Sequence, residues 1–186
     1  EMNNMKALMF SIAAVCLVAV TQAQAPNQST TLVAARQKLA LFNGDWTYET
    51  VVHTTPIGPG DKASGKMTCS LVLRGFASEC LYEEKGSAGV THGRELMWYD
   101  AATKTYAYTY HDDAGYIEQG PWVVTSNGTT WKADTVSGDK VYKVRGIETF
   151  SPDGRTSSRK AEVSVDGKTW LPYTDVKLTK VTKAKK

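Results

Sequence analysis

His92 and Arg94, two positions apart in VTHGRELMW, come nearest in this chain to residues whose types and spacing make a site. On a strand they share one face. An imidazole beside a guanidinium inside a protein grips an anionic head group through charge-assisted hydrogen bonds. Parity with Val90, Leu96 and Trp98 turns that face inward, whereas a slip at Gly93 turns it outward. Acid/base catalysis by His92, with Glu84 or Glu95 beside it, is the enzymatic version of the same placement. The other histidines offer less. His53 falls on the outward parity of its strand, and His111 heads the turn HDDAG, where neighbouring donors rarely converge on one ion. No metal site is expected. There is no Gly-x-Ser-x-Gly elbow, and IGPGDKASGK lacks both the spacing and the following helix of a phosphate loop. No catalytic residue is assigned.

The second chemical group is aromatic. Tyr106, Tyr108 and Tyr110 alternate in one run, and Trp46, Tyr48, Tyr82, Trp98, Trp122 and Trp131 fall at strand positions able to share an interior. An interior filled for stability alone favours Val, Ile and Leu. A lining rich in rings and hydroxyls suits a cavity for an amphipathic or planar molecule. The competing reading is solid aromatic filling, or an outward-facing tyrosine ladder. The expected ligand-binding set is therefore Trp46, Tyr48, Tyr82, Trp98 and Trp122 as apolar wall, with His92 and Arg94 as polar contacts. No cofactor is expected.

These residues need a scaffold, and the chain supplies one kind. Residues 1–25 read as a secretory signal peptide: Lys6, an apolar run from Ala7 to Val20, then Ala23-Gln24-Ala25 as a small-x-small cleavage site. That run spans 14 residues, short of the roughly 17–25 a spanning helix requires. An exported, periplasmic or extracellular product with no integral membrane segment after cleavage follows. Export exposes Cys69 and Cys80 to an oxidising compartment. A hairpin centred on Arg74-Gly75 sets these two cysteines opposite each other, most comfortably with a four-residue loop, and a disulfide is expected between them. Reduced core thiols are the alternative.

Ser29 or Thr30 caps a short helix that ends at Asn43-Gly44, and from Asp45 the apolar period becomes two. TTPIGPGDKASG is a loop; hairpin turns such as DDAG, SNG, SGD, SPDG and DG punctuate the remainder. Asp166-Gly167 reads as the tightest, with Val163 opposite Trp170. About ten strands in succession leave no room for crossover helices, so the sheet is antiparallel and next-neighbour. So many meandering strands expose two edges unless the sheet closes. The expected fold is all-β: an antiparallel up-and-down barrel over residues 26–181 with a short N-terminal helix, a two-sheet sandwich being the competitor. Residues 182–186 form a basic tail, read as a solvated end. The net charge of +3 has no basic stripe with interleaved aromatics, so nucleic acid is not an expected partner.

LFNGDWTYE, a helical turn running into Gly-x-Trp at the first strand, resembles the lipocalin and calycin superfamily. With LVLRGFASECLYEE, GRELMWYDAATKTYAYTYHDDAG and GIETFSPDGRTSSRKAEVSVDGKTWLPYTDVKLTK, the run from Leu39 to Val181 resembles the bacterial family called domain of unknown function 1579. That resemblance implies a lipocalin-like barrel and carries no activity or catalytic residues with it. Nitrobindin-type haem barrels share the Gly-x-Trp opening but take haem on a His near the C-terminus; the last His here is His111. The leading expectation is a non-catalytic binder of a small amphipathic or apolar molecule. A barrel-interior enzyme of hydrolase or isomerase type, and an envelope module that binds other proteins, are the alternatives.

Overall fold

A computed structural model describes residues 30–182. The signal peptide expected over residues 1–25 and the end of the basic tail lie outside the described residues. Helix α1 (Thr30–Leu39) runs through a single 3-10 turn (Ala40–Phe42) into ten strands. These are β1 (Gly44–Val52), β2 (Asp61–Val72), β3 (Ala77–Gly86), β4 (Gly89–Asp100), β5 (Thr105–Asp112), β6 (Ile117–Val124), β7 (Gly128–Ser137), β8 (Lys140–Phe150), β9 (Thr156–Ser164) and β10 (Leu171–Lys180). Each strand pairs antiparallel with its sequence neighbours, and β10 returns to pair with β1. The sheet is a closed barrel, not a sandwich. Closure satisfies the backbone groups that two free edges would have left unpaired.

The entry to β1 is a tight piece of local chemistry. The Asn43 N–H closes the last helical turn on the carbonyl of Ala40, and Gly44 then takes φ +120°, a backbone state closed to ordinary side chains. Trp46 turns back beneath it and donates its indole N–H to the Phe42 carbonyl at 2.8 Å. Phe42 packs between Trp122 and Phe150, with ring centroids 5.4 and 5.3 Å away. Leu39 and Trp46 are almost wholly buried. Helix, Phe42 and Trp46 together close one end of the barrel.

Cys69 faces Cys80 in the β2–β3 ladder, which runs on to Val72 opposite Ala77 and leaves Leu73 to Phe76 as a four-residue loop. The two Cα atoms are 4.1 Å apart, at disulfide-bonding separation, and both side chains are buried near the closed end. The β9–β10 connection departs from the expected two-residue turn. Val163 faces Leu171 rather than Trp170. The loop wraps around the Asp166 carboxylate, whose Oδ1 accepts the Lys168 and Thr169 N–H groups at 2.8 Å and the Ser164 hydroxyl at 3.0 Å. Those donors, the Thr169 and Lys168 amides foremost, hold the Asp166 carboxyl down at about 2.

Candidate functional site

Alternation along the strands decides what faces the interior. In β1 the inward set is Trp46, Tyr48, Thr50 and Val52; in β5 it is Tyr106, Tyr108, Tyr110 and Asp112. Above Phe42 lies a cavity of about 270 Å³, lined from every strand except β2. At the far end the β1–β2 loop folds over the mouth: Ile57 packs against the core and the Tyr142 hydroxyl donates to the Pro56 carbonyl at 3.0 Å.

The wall is made of rings laid over glycines. A side chain at Gly65 would collide with the Tyr48 ring, one at Gly93 with the Tyr110 hydroxyl, and one at Gly146 with the Trp131 ring. Each ring occupies space that a Cβ on the neighbouring strand would take. The rings therefore lie against the sheet and leave the centre open.

Against this aromatic wall stand acidic groups. Glu84, Glu95, Glu118, Glu148 and Asp112 line the cavity, with Arg159 the one cationic side chain there among the described residues. Arg159 is committed to Glu148: its Nη2 and Nε stand 3.1 and 3.3 Å from Glu148 Oε2, while Ser157 donates to Oε1 at 2.6 Å. The Arg159 guanidinium also stacks toward Trp131, 5.7 Å from the ring centroid. Burial alone would lower its pKa; Glu148, with Tyr82 and Glu95, outweighs that and raises it well above the usual value. Of the other carboxyl groups, Asp112 accepts the Ala114 and Tyr116 N–H groups on Oδ1 at 3.0 and 2.9 Å, and Glu95 and Glu118 are held by phenols. Tyr82 donates to Glu95, Tyr108 to Glu118, and Tyr116 to the second Glu118 oxygen at 2.6 Å. Tyr48 bonds Glu84. Burial raises the carboxyl groups of Glu84 and Glu95 and lifts the phenols of Tyr48, Tyr82, Tyr108, Tyr110 and Tyr116. Burial likewise pushes Tyr173 up to about 12. The phenols are therefore neutral donors at ordinary pH. Two polar atoms on the wall have no protein partner: Thr129 Oγ1 and Trp131 Nε1.

The expected site residues divide sharply. Tyr48, Tyr82 and Trp122 line the cavity, and Trp46 lies below it as part of the closed end. His92, Arg94 and Trp98 do not line it. The inward residues of β4 are Gly93, Glu95, Met97 and Tyr99, so the neighbouring set faces out. His92 is exposed and pairs with Asp113 at 3.1 Å; Arg94 is exposed and pairs with Glu79 at 2.5 Å. Trp98 is half-buried on the outer face, opposite Ala77. The expected inward parity is corrected by one residue, for a physical reason. Val90, Leu96 and Trp98 are apolar and so suggest the core face, but this barrel keeps Glu95 inside and sends Leu96 out. His92 is consequently not brought to Glu84 or Glu95. His53 pairs with Asp175 at 2.7 Å and His111 with Thr109 at 2.7 Å, and none of the three histidines lines the cavity. Among the described residues no group of His, Cys, Asp and Glu is arranged to hold a metal ion.

Glu118, Glu148, Arg159, Tyr116 and Tyr173 are the charged and phenolic cavity residues that sequence reasoning passes over. Parity held a signal for two of them. Arg159 alternates with Ser157, Ala161 and Val163, and Glu148 with Val144 and Phe150, so each sits on a face whose other members are core residues.

A family model described as "Protein of unknown function (DUF1579)" matches residues 31–176. Among solved structures, the crystal structure of Rv2717c from M. tuberculosis is similar at a TM-score of 0.57 and 11% identity. That similarity covers 80% of this chain and 98% of the other, and it extends to the fold. No curated protein matches the chain.

Proposed function

The chain belongs to the DUF1579 family of proteins of unknown function, and from that premise we propose that its barrel is a receptacle for a small, partly apolar molecule. The observation that supports this reading is the cavity itself. A barrel with one end closed by Phe42 and Trp46 retains about 270 Å³ of open space, walled by aromatic rings and a few convergent polar groups. Such concave, ring-lined sites with sparse polar anchors are what small-molecule recognition uses. At about 30 Å³ per liquid water, the space suits a ligand on the order of ten non-hydrogen atoms. Tyr48, Tyr82 and Trp122 form part of that wall. The reading includes export, with which the Cys69–Cys80 pair at bonding separation is compatible. Among the described residues no helix is long and apolar enough to cross a membrane.

The test is native mass spectrometry of the purified protein together with thermal melts against a panel of small aromatic compounds. Co-purified mass or a ligand-dependent rise in Tm is expected, since a ligand specific to the folded state stabilises it by mass action. Ala161 lines the cavity, so Ala161→Phe places a ring in the open space and should abolish the shift. Compounds that raise Tm equally in wild type and Ala161→Phe would place binding elsewhere. A panel without any response, with no co-purified mass, overturns the receptacle.

A further inference from the structure

The cavity has a charge problem that its own residues leave unsolved. Among the described residues five carboxyl groups line it, and the one guanidinium there is bound up with Glu148. Among the described residues Glu84 and Glu118 pair with no cation, and Glu95 shares the field of Arg159 with Glu148; Tyr82 donates to Glu95, and Tyr108 and Tyr116 donate to Glu118. A hydrogen bond from a phenol satisfies a lone pair without supplying charge. A carboxylate offers roughly four acceptor sites, more than the phenols fill at Glu95 and Glu118. Burying such groups without a counter-charge is costly, and a cation placed among them recovers part of that cost. Tyr82 and Tyr110, packed edge to face with ring centroids 5.6 Å apart, line the same space. A second feature points independently to an occupant. Thr129 is 1% exposed, lines the cavity and has no hydrogen-bond partner for its hydroxyl, and Trp131 Nε1 beside it is likewise unpartnered. They offer a ligand the donors that the carboxylates lack.

We propose that the ligand is a compact protonated amine on an aromatic-sized body, its ammonium group among Glu84, Glu95 and Glu118 and a hydroxyl or carbonyl at its other end toward Thr129 and Trp131. The assignment rests on the receptacle reading and narrows it. A neutral alcohol of the same shape fills the same space but leaves the carboxylates uncompensated. An anion meets them with repulsion, and Arg159 is already engaged.

A charge series on one skeleton tests this: tyramine, its neutral alcohol 4-hydroxyphenylethanol, and the anion 4-hydroxyphenylacetate, measured at pH 7 by calorimetric titration. Tyramine is expected to bind at least tenfold more tightly than the alcohol, and the anion not measurably. Glu95→Gln and Glu118→Gln, each keeping an oxygen to accept the tyrosine hydroxyl, should each cut the advantage of the amine over the alcohol. Melting curves of both variants show that the barrel is intact. If amine and alcohol bind alike, or the anion binds best, the charge assignment falls and the receptacle stands. If none of the three binds and the aromatic panel is also silent, both fall.

Discussion

At the scale of single residues, the informative feature is a carboxyl group where strand alternation would lead one to expect a hydrocarbon. Glu95 is buried between Gly93 and Met97 on the inward face of β4, with Tyr82, Arg159, Glu148 and Glu118 as its titratable and charged surroundings. Burial raises its pKa; Arg159 and the Tyr82 hydroxyl pull the other way without cancelling the rise. An acid whose folded value exceeds its unfolded one binds its proton more tightly in the folded state. Its contribution to stability is therefore greatest in acid and declines as pH climbs from the unfolded value, about 4.3, through the raised folded one. Glu95→Gln removes that decline. The variant should melt above wild type at pH 7, by about 2–4 °C for each kcal/mol relieved, and the two should converge below about pH 4. Paired melts at the two pH values check it; a variant that melts lower at pH 7 would show that the charged form is the favoured one. Removing a buried charge here strengthens the fold, so a stability gain combined with lost amine binding marks a group retained for recognition.

At the scale of elements, two devices lock the closed end. Helix α1 lies over the β2–β3 loop, where the Arg36 guanidinium sits 2.7 Å from the space a side chain at Gly75 would need and 5.6 Å from the Phe76 ring. That loop carries Leu73 and Arg74 at φ 50° and 59°, left-handed values that non-glycine residues adopt at a cost. Below it, Cys69 and Cys80 sit opposite each other, 11 positions apart in sequence. Bonded, they shorten the freedom of the unfolded hairpin and contribute about 2–4 kcal/mol, the usual range for such a crosslink. The oxidised protein should have a mass 2 Da below the dithiol, about that of two hydrogens. Reduction, or the Cys69→Ala/Cys80→Ala pair, should lower the unfolding free energy by that amount in denaturant melts. Identical melts before and after reduction would leave the cysteines as ordinary core residues. The pairing was legible beforehand because hairpin arithmetic depends only on sequence positions. The β9–β10 turn departs from a two-residue hairpin because the Asp166 carboxylate gathers donors from Ser164, Lys168 and Thr169, a local competition that counting strand residues does not capture.

At the scale of the whole molecule, closure is the property that makes a cavity possible. β1 and β10 pair over seven residue pairs, from Trp46–Lys180 to Val52–Thr174, so neither is an edge. Amide hydrogen exchange should therefore protect β1 and β10 to the same degree as β5 and β6, with the fastest exchange in the turns. Rapid exchange confined to β1 and β10 would indicate an open seam and a leaking interior. The closed shape also explains the glycines: Gly65, Gly93 and Gly146 thin the wall where Tyr48, Tyr110 and Trp131 lie flat on it, which keeps the centre clear.

The amino-acid sequence by itself determined the strand series, the antiparallel order, the Gly-Asp-Trp entry, the cysteine register and the family, because each depends on local period or on distances counted along the chain. It also placed Tyr48, Tyr82 and Trp122 correctly on the inward face. Only the tertiary structure decided which parity of β4 faces in, and with it that His92, Arg94 and Trp98 lie outside while Glu95 lies within. The physical reason is that apolar content predicts burial when the interior is dry hydrocarbon. An interior that holds open space and charge reverses the pattern, and the cost of that reversal is visible only when Tyr82, Glu95, Glu148 and Arg159, from four different strands, are brought around one cavity.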